Sequence, residues 1–322
     1  VSFALYSDST CKTVPSVSGS GTISTTAGVS TASFMTDWTP PAPGTYTWIA
    51  SYPGDANYPG AITTTCGDSQ ESVVVAKAGP TITTQASPTA GTVGVAIAPA
   101  GDTATFVGTT TVAPTGLVSF TLYSDATCKT AVAGVSGSGT ISTSGGVSTA
   151  SFSVATWTPT AAGTYHWIAS YAGDANNSGF TTGCNDSNEQ VAVSMAAPTL
   201  ATSLNASSIT VGGSDYDTAT LSGFVTGGSG GTVTYTVYTD SSCTLNPQAA
   251  GTVNVDGASG TVPNSSPLTF NTSGTYFWQA VYSGDGNNTG TSSSCSSESL
   301  VVAKAGPTIT TQASPTAGTA GV

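Results

Sequence analysis

The sequence predicts an all-β chain of tandem Greek-key sandwiches, and three observations predict it. One phrase recurs three times along the chain. Short segments with period-two alternation follow one another between turns rich in Gly, Ser and Pro. The composition favours Thr, Ser, Gly and Val over strong helix formers, and about a third of the 322 residues are Ser or Thr.

The repeat is plainest at residues 44–52, GTYTWIASY, which return at 163–171 as GTYHWIASY and at 274–282 as GTYFWQAVY. Each copy leads into Gly-Asp-x-Asn, at 54–57, 173–176 and 284–287. Upstream, VSFALYSD at 1–8 matches VSFTLYSD at 118–125 and VTYTVYTD at 233–240. The period is about 110 to 118 residues, which makes three copies of one domain. Residues 76–92 reappear letter for letter at 303–319. The copies are therefore expected to be cut unevenly, as 1–79 (lacking its first strands), 80–197 and 198–306 (both complete), and 307–322 (a first-strand stub). A chain that opens on Val without a signal peptide reads as a processed polypeptide or as a window on a longer tandem array.

Within the second copy, strands are expected at 81–86, 103–108, 117–123, 140–143, 147–153, 164–171 and 190–194. In 117–123 the apolar Val118, Phe120 and Leu122 share one face, and Ser119 and Thr121 take the other. Runs such as Ser136-Gly137-Ser138-Gly139 and Ser144-Gly145-Gly146 supply turns. Seven short strands in one period predict a two-sheet sandwich.

The GTYxWxAxYxGDxN phrase, the strand ending in Tyr-x-Asp and the closing Glu-x-Val-x-Val strand together resemble bacterial immunoglobulin-like repeats, and the resemblance covers essentially the whole chain. It implies immunoglobulin-like sandwiches in a secreted or cell-surface protein, as a stalk, a fibre subunit or an adhesin segment. Linkers of a few residues containing Pro80, Pro198 or Pro307 predict end-to-end stacking into a semi-rigid rod of about 35–40 Å per domain. The partners expected are copies of the chain or adjoining repeats, head to tail, with glycans as the partner of the rival carbohydrate-binding reading. One route to such a filament is donation of the tail to the broken first domain of a neighbour.

Six cysteines fall twice per copy: Cys11 and Cys66, Cys128 and Cys184, Cys243 and Cys295. With no Cys-x-x-Cys and no neighbouring His, disulfides in an oxidising compartment are expected rather than zinc. Pairing within each copy is the plain reading. Pairing between successive copies, Cys11 with Cys184 and Cys128 with Cys295, stays open, because these two loops tend to lie at opposite ends of an immunoglobulin-like sandwich. The aromatic pairs Tyr46 and Trp48, Tyr165 and Trp167, and Tyr276 and Trp278 lie two apart on one strand and read as core. In immunoglobulin domains the Tyr closes a corner through its hydroxyl, and here Trp stands where a second Cys is usual. Trp38 and Trp157, with Phe270 at the third equivalent position, could line a junction or offer a sugar-stacking face.

The repeated loop offers Asp55 with Asn57, Asp174 with Asn176, and Asp285 with Asn287, oxygen ligands suited to Ca²⁺ if an adjoining domain adds more. The plainer alternative is an Asx turn. Asn-x-Ser/Thr sequons stand at Asn176, Asn185, Asn205, Asn264, Asn271 and Asn287. His166 is the only histidine, its equivalents are Thr47 and Phe277, and alternation places it outward, opposite Trp167. No catalytic motif recurs, so the expectation is a protein without enzymatic activity. Four Lys, no Arg and a net charge of −12 leave no surface to neutralise phosphates, which argues against nucleic acid. No apolar run approaches the roughly 20 residues that direct membrane insertion needs.

Overall fold

Alternating apolar residues fold the chain into paired β-sheets, and the complete second copy shows the plan. The structure, a computed structural model, describes residues 1–108, 112–314 and 316–321. Pro315 and Val322 of the expected stub lie outside the described residues. The second copy has strands β1 (Thr81–Ser87), β2 (Ala90–Thr92), β3 (Ala100–Val107), β4 (Leu117–Tyr123), β5 (Ala131–Thr140), β6 (Ser142–Ser144), β7 (Val147–Val154), β8 (Gly163–Gly173), β9 (Ser178–Thr181) and β10 (Gln190–Ser194). One sheet has the order β6-β7-β3-β1. The other reads β5-β4-β8-β10-β2, with β9 folded back on β8. β3 pairs antiparallel with β7 and β1, β4 with β5 and β8, β6 with β7, and β8 with β9, whereas β10 and β2 run parallel. This is the strand order of an immunoglobulin-like sandwich. Strand 117–123 matches the expectation to the residue. The expected 140–143 strand proves to be the end of the longer β5 and the start of β6, with Ile141 between them.

The described residues form two compact units. One comprises Val1–Ser87, Ala100–Val154 and His166–Gln190. Within it, β4 pairs β8 so that Val118 faces Tyr171, Phe120 faces Ala169 and Leu122 faces Trp167, all buried. Phe152 on β7 stacks on Phe120 and meets Trp167 edge-on, joining the two sheets. Gly137 on β5 makes room for it, since a Cβ there would fall 2.1 Å from the Phe152 ring. The first copy repeats one sheet, with Ser2–Tyr6 between Val17–Ser20 and Gly44–Tyr52, and Ser72–Val75 on the far side. Opposite it, among the described residues, stands only the hairpin Ser24–Thr26 with Val29–Thr31. Val73 is accordingly 39% exposed, whereas its equivalent Val191 is 3% exposed.

The other unit comprises Pro88–Pro99, Ala155–Tyr165 and Val191–Val322. It holds the third copy, whose strand Gly274–Tyr282 runs between Thr232–Tyr238 and Ser299–Ala303. Thr199–Leu204 pairs with Asp217–Ser222 in a second sheet. Tyr235, Phe270, Trp278, Tyr282 and Leu300 belong to its buried core.

The cystines are Cys11–Cys66, Cys128–Cys184 and Cys243–Cys295, each inside its copy. The carboxylate that ends each Tyr-x-Asp strand prepares the first cysteine. Asp125 accepts from the N–H groups of Thr127, Lys129 and Thr130, and Cys128 N donates to the Asp125 carbonyl. That turn holds Cys11, Cys128 and Cys243 in the left-handed region, at φ 51°, 48° and 52°. Replacing Cys128 and Cys184 with Ser should cost the second copy about 4 kcal/mol, the loop-closure value for such a span. The check is a lowered urea midpoint, with an unchanged midpoint refuting it.

Candidate functional site: the junction loops

The GTY phrase carries the strand into the loop that ends it, so each junction loop is positioned by a core strand. Tyr46, Tyr165 and Tyr276 close their corners by donating to the carbonyls of Ala42, Ala161 and Thr272, at 2.8, 2.9 and 3.0 Å. Trp167 and Trp278 are buried, and Trp48, in the copy with the reduced second sheet, is half-buried. Gly173 opens the loop at φ 88°, where a Cβ would lie 2.7 Å from the Asn177 carbonyl oxygen. Asp174 N then donates to that carbonyl, and Asp285 N donates to the Asn288 carbonyl, both at 2.9 Å.

The loop carboxylates face inward on their own turns. Asp174 Oδ1 accepts from Asn176 N and Asn177 N, and Oδ2 accepts from the backbone and hydroxyl of Thr115. Asp285 accepts from Asn287 N and Asn288 N on one oxygen and from Gly230 N on the other. Partial burial raises Asp174, and the N–H groups of Asn176 and Thr115 more than offset that, holding its carboxyl well below the ordinary range. In the first copy, Asp55 accepts from Tyr52 OH, Asn57 N and Tyr58 N, which lower it likewise. The residues named as a Ca²⁺ ligand set, Asp55 with Asn57, Asp174 with Asn176 and Asp285 with Asn287, lie in Asx turns. The carboxylate oxygens of Asp55, Asp174 and Asp285 accept from N–H and O–H groups of their own copy.

What each loop receives is the linker ahead of it. Ala78 N donates to the Asn176 carbonyl at 2.9 Å, and Ser178 N donates to the Ala78 carbonyl at 2.8 Å. Lys77 Nζ adds a bond to the Asp174 carbonyl. The same bridge recurs one copy later: Ala196 N donates to the Asn287 carbonyl and Thr289 N to the Ala196 carbonyl, both at 2.8 Å. The two junctions differ in side chains: Met195 stands where Lys77 does, and Asn287 reaches back to the preceding copy. Asn287 accepts from Ala162 N at 3.1 Å and donates to the Thr160 carbonyl at 3.1 Å. Pro43 occupies the position equivalent to Ala162 in the first copy and has no N–H to give Asn176. Pro59 likewise stands where Ser178 and Thr289 donate, so the first loop lacks one donor of this bridge.

Three further expectations change. His166 is buried at 4% exposure rather than outward; it pairs with Tyr123 at the end of the sheet from which the disulfide-joined segments leave. Trp157 is buried edge-on against Tyr165, and Phe270 is buried against Tyr276 and Trp278, so neither offers a sugar-stacking face. Trp38 is half-buried against Tyr46. Asn287 is buried with its amide engaged. Asn185, Asn205, Asn264 and Asn271 are exposed and Asn176 is half-exposed.

Sequence reasoning missed a second set of residues, buried carboxyls. Asp102 on β3 (2% exposed) meets Glu189 (0% exposed), which closes the 3₁₀ turn Ser187–Glu189 ahead of β10. Asp217 meets Glu298 in the third copy, with Asp215 nearby. The signal was present: Asp-Thr-Ala-Thr recurs at 102–105 and 217–220, with Asp at an inward position of the alternation. Glu recurs at 71, 189 and 298 in a chain with only 6% charged residues.

No family model matches the chain, and no curated protein matches its sequence. Among solved structures, similarity is found to the Yersinia pseudotuberculosis adhesin InvE, with 14% identity, a TM-score of 0.31, and coverage of 69% of this chain and 58% of that one. The Escherichia coli adhesin FdeC is similar at 13% identity and TM-score 0.27, covering 82% and 74%. The three N-terminal domains of the bacteriophage RB49 outer capsid protein Hoc are similar at 12% identity and TM-score 0.27, covering 95% and 88%. The chain thus spans a little over half of the InvE structure, and the fold assignment rests on the strand order itself.

Changing Asp174 to Ala orphans the N–H groups that its carboxylate collects and should cost the second copy about 2 kcal/mol. Hydrogen exchange should quicken at Asn176, Asn177 and Ala78 together, and unchanged exchange at Ala78 would separate the loop from the linker.

Proposed function

We propose that this chain is a non-enzymatic structural segment of an extracellular or cell-surface protein, a stalk or fibre portion built from immunoglobulin-like domains joined end to end. The domain boundaries proposed are those of the repeat, 1–79, 80–197 and 198–306, with 307–322 opening a further copy. The partners are copies of the same polypeptide or adjoining repeats, head to tail.

The observation that carries this reading is the repeated junction bridge. Both linkers place an alanine in a two-bond bridge to the Gly-Asp-x-Asn loop of the copy that follows. A linker tethered by backbone hydrogen bonds loses freedom that a flexible Gly/Ser linker would keep, and a semi-rigid tandem array follows. Three intramolecular cystines suit an oxidising compartment. The carbohydrate-binding alternative has lost Trp157 and Phe270 as stacking surfaces, and the lone His166 is enclosed within the fold.

Small-angle X-ray scattering on the chain tests the proposal. A maximum dimension of about 110 Å, three domain lengths, is expected, and one near a single compact sphere would defeat it. The Asp174→Ala, Asp285→Ala double variant should keep its folded domains while its distance distribution broadens.

A further inference from the structure

Each complete sandwich buries two carboxyl groups against each other, and their atoms do not balance as carboxylates. Asp102 Oδ2 and both Glu189 oxygens are enclosed without a donor, as are both oxygens of Asp217 and Glu298 Oε2. Two ionised carboxylates in contact away from water would repel each other and forgo their hydration. One added proton resolves both problems, because a carboxylic acid donates and a carboxylate accepts.

The placement gives that proton a structural task. Asp102 lies on β3, in the β6-β7-β3-β1 sheet, and Glu189 ends the turn packed on β1 and leads into β10 of the other sheet. Asp217 lies on the strand paired with Thr199–Leu204, and Glu298 leads into Ser299–Ala303 of the facing sheet. The usual inter-sheet disulfide of immunoglobulin domains is absent, since tryptophan holds the position of one of its cysteines.

We propose that each complete sandwich contains a proton-binding site, Asp102 with Glu189 and Asp217 with Glu298, in which one shared proton ties the two sheets, so that the fold tightens in acid and loosens in alkali. Within each pair one carboxyl group holds the proton and the other accepts it, and the two titrate as a unit. Burial first, and then the facing carboxylate, push Glu189 up to about 9 and Asp217 up to about 8. The other titratable groups facing the sites are Asp186 beside Glu189, and Asp215 and Tyr235 beside the second pair; no cation is among these neighbours. Asp102 also accepts from Thr103 N, and Gln85 N–H faces it from β1.

The sign follows from linkage. A group whose folded value is raised stabilises fully below its unfolded value, and that stability is lost as pH rises toward the folded value. For Glu189 the window runs from its ordinary value of 4.5 to about 9, and for Asp217 from 3.8 to about 8. The depressed carboxyls Asp125 and Asp174 act with opposite sign, losing their contribution only as pH falls below the ordinary Asp range.

The test is urea unfolding of the full chain from about pH 5 to about pH 9, with the folding equilibrium expected to fall about tenfold per pH unit for each pair inside its own window. The Glu189→Gln, Asp217→Asn variant replaces each shared proton with a permanent amide donor and should flatten that dependence. A flat parent, or equal slopes in parent and variant, overturns the proposal. Should the variant fail to fold, carbon-13 spectra of Asp- and Glu-labelled parent decide. Two carboxyls still protonated at neutral pH support the shared proton, and all carboxyls ionised there refute it.

Discussion

The packing of Phe152 between Phe120 and Trp167 is the contact on which the second copy depends, because it joins sheets that no covalent bond crosses at their centre. Trp167 and Trp278 occupy the core where an immunoglobulin domain commonly has a cysteine, and burial of an indole substitutes apolar area for a cross-link. Gly137 is required by the same contact, since any side chain would meet the Phe152 ring. In the first copy Phe34 and Trp48 repeat the edge-on contact, yet Trp48 is only half-buried. The difference is area: a hairpin covers less of the facing sheet than the four strands β6-β7-β3-β1 do.

With the centre held by aromatics, the cystines are free to act at the rim. Each ties the turn after the Tyr-x-Asp strand to the segment before the closing strand, and the Asp of that motif sets the left-handed cysteine in place. The strand that carries the indole also delivers the Gly-Asp-x-Asn loop, so core and junction share one rigid element. This coupling explains how a loop of few residues presents a fixed pair of backbone groups to the linker. It also shows where two copies diverge. Pro59 and Pro43 remove N–H groups that the later copies use, and proline cannot supply them in any rotamer.

The carboxyl pairs run against the rest of the core. An inward Asp beside a buried Glu is costly to ionise, and the chain nonetheless repeats the arrangement in both complete copies. A hydrogen-bonded acid pair is directional where apolar packing is not, so it selects one alignment of the turn over the facing sheet.

The repeat and the strand alternation determined the sandwich by themselves, because strand period is a local property of a few neighbouring residues. The run at 136–139, read as a turn, instead lies inside β5, paired with β4, because Gly137 there makes room for Phe152. Val118, Phe120 and Leu122 lie on one inner face as their spacing requires, and Tyr165 closes its corner within four residues. Only the tertiary structure decided what depends on distant segments. Sequence spacing allowed several cystine pairings, and the approach of loops more than 50 residues apart selected one. The acidic loop read most plainly as an Asx turn, and only the fold brings Thr115 and Gly230, from other segments, onto its carboxylates. His166 faced outward by alternation, yet it is covered, because burial is set by what crosses a strand rather than by the strand's own period. The meeting of Asp102 with Glu189 is of the same kind: each residue is visible as a repeat, and only the closing of two sheets brings them to one proton.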